Sequence, residues 1–334
     1  MKGLRFYFLK IKEVFIFLIY IKFSKIKQNE NIIIYGISRG GTTLLAETLV
    51  ALLRARLTWE PLFPYGDVKL PAMNPYSVAE YSKFQLGWNP NTDSHNDKAL
   101  NSYFDDFFAL NIRNIRFLRF TNHGTFGRSK HTIHKFCFGN FMYPYFQKRY
   151  GFKSILLLRH PFAIASSSLG FGDNFNWHKE NYADWQYTDS KRSGDFFKAY
   201  DDKYNLIVSG FSLLVFQVVS QFSYALNHLD TENTSIVFYE DLVIAPKTSY
   251  RTLQELLKHP IDYDLFFEML NIQSFSSKKN HTEKDALAQL SKWKKVATKQ
   301  DIKDGLKVFE AFNFRMYSED VLPLQTSIAN LNNV

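Results

Sequence analysis

Three short apolar runs stand out along the sequence, and each leads through a loop into a segment with helical periodicity. The runs are Asn31 to Tyr35, Ser154 to Leu158 and Ser235 to Tyr239. Continuous apolar strands are typical of a sheet that is buried on both faces, and a repeated strand-then-helix order favours parallel strands. The pattern therefore predicts an α/β fold with a central parallel sheet and helices on both faces. A fourth strand is predicted at Arg116 to Phe120.

Two polar stretches rich in aromatic residues interrupt this pattern, at about Pro64 to Phe108 and Phe171 to Tyr200. They predict loops and short helices, inserted where the acceptor side of a site is usually built. The 334 residues are enough for one large domain. We predict an N-terminal helix over residues 1–29, a single domain over 30–320 and a tail over 321–334.

The N-terminal residues combine apolar and basic side chains. Their longest uninterrupted apolar run, Val14 to Ile21, is too short to span a bilayer, which takes about 20 residues. The segment also lacks the small-residue cleavage site of a signal peptide. Two interpretations stay open: a basic, aromatic-rich helix that lies in a membrane interface, or a helix that packs on the domain.

The net charge limits the classes of partner, and the cysteine content indicates the compartment. A formal net charge of +9 attracts nucleic acid, membrane surfaces and small anions alike. Beyond the N-terminus, however, the Lys and Arg residues are dispersed, whereas nucleic-acid binders gather them into basic runs with exposed aromatics. Nucleic acid is therefore disfavoured. Cys137 is the only cysteine, which rules out an intrachain disulfide and favours a reducing compartment such as the cytoplasm.

A glycine-rich loop follows the first apolar run and precedes an amphipathic helix. Glycines let the backbone wrap an anion, and the N–H groups at the helix start donate to its oxygens. Gly36 and Gly41 have the spacing of a Walker A loop, but Thr42 replaces its lysine, which disfavours an ordinary ATPase. Arg39 supplies a positive charge within the loop instead. The alternative is a plain turn with an incidental arginine. The candidate anion-binding residues are Ser38, Arg39, Gly40, Gly41, Thr42 and Thr43.

A second candidate anion site follows the run that ends at Leu158. Arg159 leaves the strand end, Pro161 suits the first turn of a helix, and Ser167 lies eight positions after Arg159, about two helical turns on. Arg159 and Ser167 are therefore expected to reach one phosphate. A turn in which the arginine only caps the helix by a salt bridge is the alternative.

The two motifs together resemble those of sulfotransferases. The segment Gly36 to Leu49 is similar to their 5′-phosphosulfate loop, P-R-S-G-T-T-L-L, although Ser38 replaces the proline and Gly40 the serine. Arg159, Pro161 and Ser167 match the 3′-phosphate pattern R-x-P-x-x-x-x-x-S. Weaker resemblances are Val237 to Leu242 with Pro246, Ser276 to His281, and Ser291 to Lys295. The resemblance implies transfer of a sulfonate from 3′-phosphoadenosine-5′-phosphosulfate (PAPS), a co-substrate, to a hydroxyl or amine without a metal.

The resemblance also offers two candidate general bases, which the acceptor hydroxyl needs. Glu60 lies in W-E-P-L, which resembles the F-E-P-L segment of carbohydrate sulfotransferases and makes a sugar or glycan the expected acceptor. His123 occupies a place similar to the K-T-H histidine of the cytosolic enzymes. A salt bridge on the second strand and a surface loop are the respective alternatives. Trp177, His178 and Trp185 are candidates for stacking on sugar rings.

Two further functions stay open beside transfer. A catalytically silent sulfotransferase-like protein would bind nucleotide or glycan without turnover, and a kinase would need Mg²⁺ and a lysine in the loop. A metal site is not expected. His131, His134 and Cys137 fall at three-residue steps, a spacing that we interpret as one helix face rather than a metal site.

Overall fold

The computed structural model describes residues 14–15, 17–61, 98–113, 115–118, 120–170, 196–272 and 285–324. Within them, five parallel strands form one sheet in the order β2-β3-β1-β4-β5. The strands are β1 Glu30–Tyr35, β2 Arg56–Trp59, β3 His131–Phe136, β4 Lys153–Leu158 and β5 Thr234–Phe238. The prediction of a central parallel sheet is therefore confirmed, and three of its predicted strands are correct to within one residue at each end.

Eleven α-helices accompany the sheet in the described residues. They are α1 Thr42–Leu53, α2 Lys98–Phe108, α3 Ile115–Leu118, α4 Tyr143–Tyr150, α5 Pro161–Leu169, α6 Gly210–Asn227, α7 Tyr239–Ile244, α8 Pro246–Leu257, α9 Tyr263–Asn271, α10 Ala286–Leu290 and α11 Lys299–Ala311. Other helical elements are a π-helical turn at Leu18–Lys22 and 3₁₀ segments at His123–Thr125, Asn140–Met142, Phe196–Leu206 and Ser291–Lys295.

Alternate residues of each central strand face opposite sides of the sheet, and both sides are buried. Ile32 and Ile34 pack with α1, α8 and α9 in one core, whereas Ile33 and Tyr35 pack with α2, α4, α5, α6 and α11 in the other. This two-sided burial explains why the central strands are apolar without alternation. The predicted helices on both faces are confirmed.

Two predictions about secondary structure were wrong. Arg116 to Phe120 is not a strand, because α3 and a turn occupy that region. The strand beside β1 is instead β3, which contains His131 and His134, so these residues do not share a helix face. His134 is fully buried, and its ring nitrogens hydrogen-bond to Thr58 and Asn31, each at 2.8 Å. These partners let a polar segment lie inside the sheet.

The predicted insertions fall partly outside the described residues. The described end of the first insertion is α2, a helix of 11 residues whose side chains Tyr103, Phe104, Phe107 and Phe108 enter the core. The predicted domain boundaries stay predictions. No helix in the described ranges has both the length and the apolar character needed to cross a bilayer.

Candidate functional site

Two loops emerge side by side at the carboxyl edge of the sheet, because β1 and β4 are adjacent and parallel. Tyr35, the last residue of β1, is in register with Leu156 of β4. The glycine-rich loop therefore starts next to the segment that carries Arg159. In open parallel sheets, ligands bind at the carboxyl ends of the strands, and the sequence-predicted anion-binding residues lie at this edge.

The glycine-rich loop has a backbone that ordinary residues adopt with difficulty. Arg39 has φ 70° and Gly41 has φ 92°. A Cβ atom on Gly41 would lie 2.3 Å from Cδ2 of Tyr239, so the Tyr239 ring packs directly on the loop. Helix α1 begins at Thr42 without a side-chain cap. Its first backbone N–H groups are therefore available for an anion.

Arg159 lies against this loop. Its Nη1 donates a hydrogen bond to the backbone carbonyl of Arg39 at 2.6 Å, and its guanidinium carbon stacks 4.3 Å from the centre of the Tyr239 ring. The Arg159 Nε is buried without a hydrogen-bond partner, and no carboxylate in the described ranges forms an ion pair with this side chain. A buried cationic donor of this kind is suited to an anionic ligand.

Arg39 contacts the second predicted motif directly. Its Nε donates to Ser167 Oγ at 3.0 Å, and Ser167 lies on α5, which starts just after Arg159. Burial lowers the pKa of Arg39, and repulsion by the nearby charge of Arg159 lowers it further. Because the two cations repel each other, an anion that contacts both would relieve this repulsion.

Glu240 holds the backbone next to Arg159 by hydrogen bonds. Its sequence motif alone did not assign this role. One carboxylate oxygen accepts the backbone N–H of His160 at 3.0 Å, and the other accepts the Tyr317 hydroxyl at 2.8 Å. The side chain is buried, and burial raises the pKa of Glu240. Glu240 thereby fixes the start of α5, and its position explains why an acidic residue follows β5.

Glu60 belongs to a buried polar network next to the glycine-rich loop. It lies at the end of β2 and forms an ion pair with Lys135 of β3, while its second oxygen accepts the backbone N–H of Cys137 at 3.1 Å. Cys137 Sγ lies 3.1 Å from the Thr42 hydroxyl. The salt-bridge alternative for Glu60 is therefore present in the structure, and it connects this carboxylate with the first residue of α1.

The network contains one cation that sequence reasoning missed. Burial lowers the pKa of Lys135, but the charge of the Glu60 carboxylate and its hydrogen bond oppose burial, and the pKa lies above its ordinary value. Lys135 also lies 3.9 Å from the centre of the Trp59 ring. Burial raises the pKa of Cys137 to about 12, so its thiol is neutral at physiological pH. No local pattern marks Lys135, because its partners come from another strand.

His123 does not lie with Arg39, Arg159 and Glu60 at the carboxyl edge of the sheet. The chain from Phe120 to Ser129 runs back along the edge strand β2: Thr121 accepts the backbone N–H of Leu57, and Phe126 accepts Nε of Arg56 at the start of β2. His123 lies between these two contacts, in a half-buried 3₁₀ turn that contacts Leu18–Lys22. It is therefore displaced towards the amino end of the sheet, away from Arg39.

The remaining predicted residues of the loop have ordinary roles in its shape. Ser38 is half-buried, the backbone N–H of Gly40 donates to Ile37 at 2.8 Å, and Thr42 and Thr43 are buried at the start of α1. Their roles as anion ligands stay predictions.

The C-terminal segment Ser291–Lys295, which resembles a sulfotransferase segment, lies beside the same edge of the sheet. Trp293 is buried, and its ring centre is 4.7 Å from that of His160 and 5.2 Å from that of Phe162, at the start of α5. The segment Ser291–Lys295 therefore packs against the helix that carries Ser167. The predictions for Ser276 to His281, Trp177, His178 and Trp185 lie outside the described residues.

Potential metal ligands do not gather in the part of the chain that the structure describes. No group of three or more His, Cys, Asp or Glu residues with the proximity to hold a metal ion occurs among the described residues. His131 and His134 lie on β3, and Cys137 follows it and forms part of the Glu60 network.

The chain is similar to several solved structures of sulfotransferases. A sulfotransferase domain from the curacin biosynthetic pathway is 14% identical, with a TM-score of 0.44, over 86% of this chain and 98% of that chain. A mouse sulfotransferase in complex with PAP is 14% identical, with a TM-score of 0.42, over 89% of this chain and 88% of that chain. A sulfotransferase from Alicyclobacillus acidocaldarius is 14% identical, with a TM-score of 0.35, over 85% and 98% of the two chains.

These likenesses are too distant to assign a family to the chain. No protein-family model matches the sequence, and no curated protein matches it. The function proposed for the chain therefore rests on the residues of its site.

Proposed function

We propose that the chain transfers a sulfonate group from PAPS to a hydroxyl or amine of an acceptor. One observation carries this proposal: Arg39, Arg159 and Ser167 come together at the carboxyl ends of two adjacent strands. Their order and spacing in the sequence are those of the two sulfotransferase motifs. A donor nucleotide with phosphate groups at both its 3′ and 5′ positions matches a site with two neighbouring cations.

The residues divide between the two ends of the donor. Arg159 and Ser167 are proposed to hold the 3′-phosphate, with the unpartnered Nε of Arg159 as one donor. Arg39 and the N–H groups at the start of α1 are proposed to hold the 5′-phosphosulfate. Because Arg39 donates to Ser167 in the structure, we expect donor binding to replace that hydrogen bond with contacts to the two anionic ends.

The transfer forms a bond between the acceptor oxygen and sulfur and breaks the bond between sulfur and the 5′-phosphate oxygen. When bound, PAPS supplies the sulfonate, and adenosine 3′,5′-bisphosphate (PAP) leaves. Negative charge develops on the leaving oxygen in a loose, in-line transition state. Arg39 and the N–H groups of Gly41 to Thr43 stabilise this charge.

Glu60 is the proposed acceptor of the proton that the attacking hydroxyl loses. It lies beside the start of α1 through Cys137 and Thr42. Each of its oxygens already accepts one hydrogen bond, and a carboxylate oxygen has room for a second. Lys135 places its positive charge against the Glu60 carboxylate, and a general base needs a carboxylate of this kind. A purely structural role for this ion pair is the competing hypothesis.

The acceptor is proposed to be a carbohydrate, and the enzyme to work in the cytoplasm. The W-E-P-L resemblance around Glu60 supports a sugar acceptor, and the single, buried and reduced Cys137 supports a reducing compartment. Neither proposal affects the assignment of the donor site.

Calorimetry tests the donor site without knowledge of the acceptor. We expect PAP to bind at least ten-fold more tightly than ATP in the absence and presence of Mg²⁺, and Arg159→Ala to abolish this preference. Preferential binding of Mg²⁺-ATP would overturn the proposal and favour a kinase.

Transfer itself requires a second measurement. Release of PAP from PAPS is followed with a panel of monosaccharides, oligosaccharides and simple phenols. We expect turnover that Arg39→Ala removes while the melting temperature is kept. Tight PAP binding without turnover on any acceptor would favour the silent binding protein.

A further inference from the structure

The helical segment at the N-terminal end of the described chain has two opposite faces. Phe17 and Ile21 are 8% and 0% exposed and belong to the larger core. Phe15 and Ile19 are 62% and 50% exposed. They lie two positions before the buried residues, about 200° around a helix, and so point away from the domain.

The segment is held against the domain by side-chain contacts. Nη1 of Arg113 lies within hydrogen-bond distance of three carbonyl oxygens at the end of the segment, those of Ile21, Lys22 and Ser24, at 2.6, 3.1 and 2.7 Å. The Arg113 guanidinium in turn lies over the ring of Phe126, 5.7 Å from its centre. The outward face therefore has a defined orientation relative to the sheet.

This segment carries the densest run of exposed apolar side chains in the described part of the chain. Five of the thirteen exposed large apolar side chains found there fall within ten positions, which scattered surface residues would not do. We name them the N-terminal apolar face. They are Val14, Phe15, Ile19, Tyr20 and Phe23.

Basic residues lie close to this face in the sequence. Lys22, Lys25 and Lys27 are exposed, and the first 27 residues contain seven basic side chains and one acidic side chain, a net charge of +6 within a chain total of +9. A second copy of the chain would bring the same positive charge to the contact and be repelled. A partner with an apolar interior and a negatively charged surface would match both the exposed apolar side chains and the positive charge.

We propose that the N-terminal apolar face docks on the surface of an anionic phospholipid bilayer. Aromatic and aliphatic side chains enter the interfacial layer while neighbouring lysines contact the lipid phosphates, as in amphipathic helices that lie in the membrane plane. The segment passes within a few residues into β1, at the amino end of the sheet. Arg39 and Arg159 follow the carboxyl ends, so the bound protein would present its site to the aqueous side, away from the lipid.

Vesicle sedimentation with the full chain tests this proposal. We expect binding to vesicles of phosphatidylcholine with 30% phosphatidylserine, at least ten-fold weaker binding to phosphatidylcholine alone, and loss of binding as the salt concentration rises. Two variants should each weaken binding at least ten-fold: F15S/F23S removes apolar contacts, and K22Q/K25Q/K27Q removes charge. Matched controls on other surfaces, F267S and K247Q/K299Q/K303Q, should bind like the unmodified chain.

Two further measurements separate membrane docking from a change in the donor site and from a loss of folding. PAP affinity should be the same in F15S/F23S and the unmodified chain, so a failure of the donor-site proposal is distinguishable from a failure of membrane docking. The melting temperature should also be unchanged, because these side chains are exposed.

Four results would overturn the proposal. The first is that the chain does not bind the anionic vesicles, and the second is that the matched controls lose binding as much as the test variants do. The third is that the melting temperature of F15S/F23S is several degrees lower than that of the unmodified chain. The fourth is that ultracentrifugation shows a dimer, which the F15S/F23S substitutions dissociate. The third result would mean that the face packs against the chain itself, and the fourth that a second copy covers it.

Discussion

The Nε atom of Arg39 donates a hydrogen bond to the hydroxyl of Ser167 at 3.0 Å, across 128 positions of the sequence. This contact joins the glycine-rich loop to the helix that starts after Arg159. It therefore brings together two motifs that lie far apart in the sequence.

Ser167→Ala tests whether this hydroxyl binds the donor. We expect PAP affinity to fall about 10- to 150-fold, because one hydrogen bond to a charged group contributes about 1.5–3 kcal/mol. Ser166→Ala is the matched control on the same helix, since the buried Ser166 hydroxyl has no hydrogen-bond partner. Calorimetry measures both variants. An equal loss in the two would mean that α5 responds to any change of volume and that Ser167 has no specific role.

Gly41→Ala tests the packing of Tyr239 on the glycine-rich loop. A methyl group at φ 92° is strained by about 1–2 kcal/mol and would also displace the Tyr239 ring. We expect a loss of at least about 2 kcal/mol in the free energy of unfolding, together with loss of PAP binding.

The control for this change is Gly151→Ala. Gly151 has φ 58°, but a Cβ there would meet no atom within 4 Å. Its cost is limited to the backbone, about 1 kcal/mol, and PAP affinity should not change. Denaturant unfolding of the two variants gives the comparison, and equal costs would argue against the Tyr239 contact.

A double-variant cycle separates catalysis from structure at Glu60. Removing one partner of the buried ion pair costs about 3–5 kcal/mol, because the other charge is left uncompensated. We therefore expect Glu60→Gln and Lys135→Met each to lower stability and the double variant to recover most of the loss. If Glu60 is the base, turnover in the stable double variant stays at least 100-fold lower than in the unmodified chain. Recovered turnover would assign Glu60 a structural role only.

Two buried histidines make stability depend on pH. Burial lowers the pKa of His134 and of His160 to about 3, from an ordinary value of 6.5. Between these values the unfolded chain binds more protons than the folded chain, so each histidine adds stability as the pH rises from 3 to 6.5, at most about 1.4 kcal/mol per pH unit. Burial of Glu240, which raises its pKa, acts with the opposite sign above its ordinary 4.5.

His134→Gln isolates one of these contributions. At pH 5 we expect unfolding of the variant to take up about one proton fewer than unfolding of the unmodified chain. Calorimetric unfolding in buffers of different ionisation enthalpy measures that uptake. Identical uptake in the two proteins would show that His134 is protonated in the folded state.

The central strands could be predicted from the sequence because burial on both faces leaves a local, continuous apolar signal. The polar strand β3 could not, since His134 and Lys135 are tolerated there only through Asn31, Thr58 and Glu60. Arg56 on β2 is similar: it is fully buried and donates to carbonyl groups of Phe126 and Ser129. Such partners are set by the tertiary fold, which no local pattern reports.

The relative placement of Arg159 and Ser167 was predictable for a related reason. Arg159 and Ser167 lie on one strand end and one helix, so their distance follows from regular geometry. The surroundings of Glu60 were not predictable beyond a salt bridge of unknown partner, because Lys135 and Cys137 belong to a strand that the polar pattern concealed. The position of His123 depended on the path of an irregular segment along β2.

The place of β1 in the sheet has a consequence for biosynthesis. This strand is made before both of its neighbours, β3 and β4: Glu30 pairs with His131, and Ile32 pairs with Lys153. The ring that covers the adjoining loop, that of Tyr239, is made later still. A ribosome must therefore add more than 200 residues after β1 before the loop acquires its final shape. Until β3 and β4 have been made, the apolar strand β1 has no partner in the sheet, which makes the growing chain slow to fold and dependent on protection from aggregation.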